Sequence, residues 1–199
     1  MAFDFKTMKV KLRKIKLTDL EAYYYWNLPE RHFHKFNGPY FKKATEDELR
    51  EIVDNIKEQI QIAKKNNQDL SIRQNKKIIA DIDTDKVIGE VNWYWKSIET
   101  FWMEVGVVIF NENYWNKGIG VQALTIWINE LFDEYPEIVR LGLTSWSGNI
   151  GMIRLAQKLG MKQEALYRKA RIVDGKYYDS ISFGILREEW SKRASQNLS

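Results

Sequence analysis

A strand-to-helix junction built on two glycines constrains this chain most. The alternating run Trp102–Phe110 reads as a strand. It leads through Tyr114-Trp115-Asn116-Lys117-Gly118-Ile119-Gly120 into a helix over Gly118–Tyr135. That helix carries Leu124, Trp127, Ile128 and Leu131 at helical spacing. Glycines one residue apart at such a junction let the backbone approach a ligand closely. The N–H groups of a first helical turn have no intrahelical partners. Together with the positive end of the helix dipole they suit a phosphate or pyrophosphate. Lys117 adds a mobile positive charge. The plain alternative is a loop whose glycines serve turn geometry alone, and a lone Gly-x-Gly does not separate the two.

Other signals place elements on both sides. Met8–Ile15 alternates as a first strand. Thr18-Asp19-Leu20-Glu21 reads as a capping box opening a short helix through Trp26, ended by Pro29. Pro29–Lys43 reads as an aromatic-rich loop. Thr45 to Glu48 is a second capping box, opening a helix with Leu49, Ile52, Val53, Ile56 and Ile60 on one face and ending at Asn66-Asn67. Leu70–Arg73, Ile78–Asp83 and Val87–Ser97 read as strand pieces, with a turn over Asp83–Lys86. Arg140–Thr144 is a short strand. Asn149–Leu159 is a helix stopped by Gly160. Met161–Ala170 and Lys176–Leu186 form a hairpin about Asp174-Gly175. The polar tail from Ser191 is expected to fray.

At 199 residues, 44% hydrophobic and 29% charged, the chain reads as one globular domain over residues 1–199. The net charge of +4, with no Lys/Arg block, suits an anionic ligand and argues against nucleic acid. The absence of cysteine excludes disulfides, thiolate metal sites and cysteine nucleophiles. Two histidines, His32 and His34, argue against a histidine metal site, so no metal is expected. They serve packing or contact a substrate. The N-terminus lacks a signal-peptide pattern and no apolar run is long enough for a membrane span, so a cytoplasmic chain is expected. Edge strands and surface aromatics leave room for a homodimer.

Several separate segments resemble the GNAT superfamily of N-acetyltransferases, in particular the branch with the RimJ/RimL-type ribosomal-protein acetyltransferases. They are Glu104-Val105-Gly106 before the glycine turn; Asn149 followed by Arg154 and Lys158 to Met161; and Asp174 to Asp179, then Leu186, Glu189 and Trp190. The resemblance implies an α/β (α+β) fold: a mixed, mostly antiparallel sheet of about seven strands flanked by about four helices. It also implies acetyl-CoA as cosubstrate and direct acyl transfer to an amine acceptor, a protein N-terminus or a small amine. Backbone groups of Val108, Ile109 and Phe110 would hold the pantetheine arm, with an N–H near Val108 on the thioester carbonyl. Trp115, Asn116, Lys117, Gly118, Ile119, Gly120 and Val121 would hold the pyrophosphate, and Asn149 the arm from the other side. The sequence departs from the family at Ala156, where many members place a tyrosine acid, and at Met152, where the branch often has serine.

The amine must lose a proton, and a carboxylate is the usual helper. Glu104, among apolar residues beside the glycine turn, is the first choice and Glu90 the second; either could instead pair with a nearby Lys or Arg. Trp93 and Trp95 share one strand face. They either line an acceptor pocket, since aromatic faces suit amines, or pack in the core. Trp146 and the aromatics of Tyr23–Trp26 and Phe33–Phe36 are further acceptor-site residues. Two rival readings remain: a non-catalytic acyl-CoA-binding module of the same fold, and a nucleotide- or phosphate-binding protein using the glycine turn.

Overall fold

The computed structural model describes residues 9–67 and 74–196. Among these residues seven strands form one sheet: β1 (Val10–Arg13), β2 (Lys76–Asp81), β3 (Val87–Ser97), β4 (Trp102–Ile109), β5 (Arg140–Trp146), β6 (Lys162–Val173) and β7 (Lys176–Leu186). Their order is β1-β2-β3-β4-β5-β7-β6, and all neighbours are antiparallel except β4 and β5. Among the described residues five α-helices accompany them: α1 (Leu20–Asn27), α2 (Glu46–Lys65), α3 (Ile119–Glu134), α4 (Ile150–Lys158) and α5 (Arg187–Gln196). The mixed, mostly antiparallel sheet is as expected. The strand piece expected at Leu70–Arg73 lies outside the described residues.

Period-two alternation divides the strands between two cores. On one face Met103, Val105 and Val107 of β4 pack with Leu124, Trp127, Ile128 and Leu131 of α3 and with Ala156 and Leu159 around α4. On the other, Ile78, Ala80 and Phe110 pack with Leu20 and Tyr23 of α1, Phe33, and Ile56 and Ile60 of α2.

Local chemistry explains most element ends. Thr45 caps α2: its hydroxyl accepts from the Glu48 N–H at 3.2 Å, and the Glu48 carboxylate accepts from the Thr45 N–H at 2.7 Å. Asp174 and Gly175 both take positive φ, 47° and 73°, as a tight hairpin turn requires.

Four local expectations change. The first capping box is centred on Asp19 rather than Thr18 and Glu21. The Asp19 carboxylate accepts from the Lys16 N–H at 2.8 Å and binds both terminal nitrogens of Arg13, at 2.6 and 2.9 Å. Burial of Asp19 favours that charge-assisted partner. Ile52, at the margin of the α2 stripe set by Leu49, Ile56 and Ile60, is 43% exposed. The strand from Arg140 runs on to Trp146, because β7 pairs with it along its whole length.

The fourth change is at the C-terminal end, where α5 replaces a frayed tail as far as Gln196. Trp190 is buried and donates its Nε1–H to Asn129 at 2.6 Å. Arg187 donates to the carbonyls of Phe132, Tyr135 and Ile138 at 2.7–2.8 Å, satisfying acceptors at and beyond the end of α3.

Candidate active site

The parallel strands β4 and β5 pair at only two positions, Met103 with Leu141 and Glu104 with Gly142. Beyond them β4 stays with β3 and β5 stays with β7. An opening results, edged by strand backbone. Both strands lead into helices at this end, so the N-termini of α3 and α4 flank it; the helices touch where Gly120 meets Leu155.

Alternation decides which backbone groups face the opening. The Phe110 N–H donates to the Ile88 carbonyl of β3 at 3.0 Å. Val108, two residues earlier and opposite Glu90, therefore also turns its backbone to β3. The outward N–H groups belong to Val107 and Ile109, so of the trio Val108, Ile109 and Phe110 only Ile109 offers a donor. The N–H groups near Val108 that could meet a thioester carbonyl are therefore those of Val107 and Ile109. The Ile109 carbonyl already accepts from Trp115 Nε1 at 2.9 Å.

The glycine turn is an anion-binding shape. Gly118 is the N-cap of α3 at φ 80°, with no side-chain cap and no acidic residue in the first turn. The first helical bond joins the Gln122 N–H to the Gly118 carbonyl at 3.0 Å, leaving the amides of Ile119, Gly120 and Val121 ahead of it. Asn116 also has positive φ, and the Lys117 side chain is exposed. Trp115 has a different part: its ring stacks on His32 at 5.4 Å and meets Phe36 edge-on at 5.5 Å. It anchors the turn. His32 contacts Glu112 as well.

The two glycines do different jobs. A Cβ at Gly118 would meet nothing within 4 Å, but its φ is left-handed. A Cβ at Gly120 would come within 2.7 Å of Leu155 Cδ1, the movable end of a side chain. Gly118→Ala should therefore cost about 1 kcal/mol in urea unfolding, with Gly120→Ala costing less; the reverse order would show that helix packing dominates.

Glu104 is 3% exposed. Its Oε2 accepts from the Tyr94 hydroxyl and its Oε1 from Thr144 Oγ1 at 3.2 Å. Tyr94, opposite Glu104 on β3, holds its proton firmly: burial first, then the bond to Glu104, raises its pKa. Two donors fix the carboxylate, and a carboxylate's four lone-pair sites leave it able to accept more. Glu90, also buried, is paired with Lys76 at 3.0 Å.

Trp93 and Trp95 do not join this group. They lie on the opposite sheet face, edge-on to each other at 5.5 Å and to Tyr135 at 5.6 and 6.1 Å. Alternation put Tyr94 on the Glu104 side and both tryptophans with the α3 core. Trp146 is on the Glu104 side, its Nε1 donating to the Phe36 carbonyl at 3.0 Å. Asn149 caps α4 through the Met152 N–H at 3.0 Å and donates to the same Phe36 carbonyl at 3.2 Å. Ala156, where many family members place a tyrosine, is fully buried against the core. Tyr94 and Thr144 were missed as site residues; only the alternation of Tyr94 against its flanking tryptophans hinted at them.

The family described as the acetyltransferase (GNAT) domain matches residues 9–162, and the chain belongs to it. It is 32% identical over 109 residues to the uncharacterized N-acetyltransferase YnaD of Bacillus subtilis, covering 55% of this chain and 62% of that protein. The match thus spans under two thirds of that relative. A ribosomal-protein-S5-alanine acetyltransferase from Vibrio fischeri superposes with TM-score 0.66 at 19% identity, covering 96% of this chain and 98% of the other. A spermidine N-acetyltransferase from Vibrio cholerae, in complex with CoA and spermine, gives 0.69 at 16% identity, covering 92% and 98%. At these identities the structural matches speak for the fold. Among the described residues no group of three or more His, Asp or Glu is placed to hold a metal, and no helix is long and apolar enough to cross a membrane.

Proposed function

We propose that the chain is an acetyl-CoA-dependent N-acetyltransferase of the RimJ/RimL-like branch, acting by direct transfer to a primary amine. The observation that carries this is the opening between β4 and β5, with a buried, doubly hydrogen-bonded carboxylate at its vertex. The residues present suit acetyl-CoA. The outward amides of Val107 and Ile109 offer donors to an extended arm, and the uncapped turn from Gly118 to Val121 suits a pyrophosphate. When bound, the coenzyme supplies the activated acetyl thioester.

The chain's own part is proton management and positioning. Glu104 accepts a proton from the amine, directly or through water. Tyr94 and Thr144 hold the carboxylate toward the opening. Lys76 commits Glu90 to an ion pair, which favours a structural role there. No tyrosine acid stands at position 156; a thiolate is a good enough leaving group to depart without one.

A calorimetric titration with acetyl-CoA beside ATP tests the reading. Selective micromolar binding, followed by CoA release when amines are added, supports it. No binding to folded protein refutes it; binding without transfer to any amine leaves the non-catalytic module. Tyr94→Phe should lower kcat while leaving acetyl-CoA affinity unchanged, because the Glu104 carboxylate loses one of the two donors that hold it. An unchanged kcat would remove Tyr94 from this role.

A further inference from the structure

The sheet face around Glu104 continues across β5 and β7 over a floor of small residues. Thr144 pairs with Ser182, and Gly142 with Gly184. Two cations on this face hold acids: Lys76 holds Glu90 at 3.0 Å, and Arg140 holds Glu164 although its Nη1 has no partner. Arg171 is different. Its partner across the β6–β7 ladder is Tyr178, whose ring meets Trp146 edge-on at 4.8 Å. Its guanidinium lies 4.5 Å over the ring of Tyr40, from the loop between α1 and α2. Among the described residues it makes no hydrogen bond or ion pair, and its Nε is buried without a partner.

The cation also belongs electrically to the site. Burial and the bond to Glu104 raise the pKa of Tyr94, and the charge of Arg171 opposes them. A buried donor left unpaired costs about 1–3 kcal/mol, so an anion that meets it is favoured. A guanidinium fork matches a carboxylate in two parallel bonds. The loop stack on Tyr40 holds the fork in place.

We infer that Arg171 selects the acceptor: a small amine that also carries a carboxylate, its amine at Glu104 and its carboxylate at Arg171. This rests on the transferase reading above. It disfavours polyamines, whose second ammonium would face the guanidinium.

Three amines of one chain length separate the cases: n-pentylamine, cadaverine and δ-aminovalerate, with neutral, cationic and anionic tails. CoA release is expected to give kcat/KM highest for δ-aminovalerate and lowest for cadaverine, with roughly tenfold between δ-aminovalerate and n-pentylamine. Arg171→Met should level the order, Arg171→Glu should invert it, and Arg171→Lys should keep it in part. Acetyl-CoA titration and thermal melting of each variant check that it folds and loads. Transfer to all three amines at tail-independent rates, or an order unchanged in Arg171→Glu, overturns the acceptor assignment while sparing the transferase. Acetyl-CoA binding with no transfer to these amines or to a wider amine panel overturns both.

Discussion

Glu104→Gln is expected to lower kcat by about 10²-fold or more, with acetyl-CoA affinity unchanged. Glutamine keeps the shape and one acceptor oxygen but cannot take a proton. It also presents an NH₂ group where the Tyr94 and Thr144 hydroxyls now donate, so one of those bonds must turn. Only the proton-accepting role predicts that raising the pH, which deprotonates the free amine in solution, recovers part of the lost rate. A rate at saturating amine equal to the parent's across pH would show that Glu104 is a structural carboxylate. Glu90→Gln is the matched control. It breaks the pair with Lys76, and its effect should appear in stability rather than in turnover.

Trp127→Ala should cost about 3–5 kcal/mol of folding stability, a large share of the 5–15 kcal/mol typical of a domain. Trp127 is 1% exposed and among the largest fully buried side chains. Its Nε1 donates to the Asn92 carbonyl of β3 at 3.1 Å, tying α3 to the sheet. Truncation leaves a cavity and removes that donor. Because α3 carries the glycine turn at its first residues, looser packing should also weaken acetyl-CoA binding. Urea unfolding at constant m-value reads the first effect; a loss under about 1 kcal/mol would show that the site collapses around the smaller side chain.

The elements were largely legible because their signals are local. Capping at Thr45, the Asp174-Gly175 turn and the β3 boundaries each follow from a few adjacent residues. The glycine turn was legible for the same reason, though not the division of labour between Gly118 and Gly120, which depends on Leu155 of another helix. The tail was misread since its helix rests on distant partners, Trp190 on Asn129 and Arg187 on the end of α3. Its own sequence is polar, with little apolar periodicity.

By itself the sequence determined the order of strands and helices as far as β7, the glycine turn and the presence of carboxylates on β3 and β4. Alternation also determined that Tyr94 opposes Trp93 and Trp95. Only the tertiary structure decided which of those faces meets Glu104, since a period of two separates faces without naming them. It decided too that Val107 and Ile109, rather than Val108, turn their amides to the opening, and that Arg171 makes no ion pair among the described residues. Those outcomes depend on strand register and on loops packed from elsewhere in the chain.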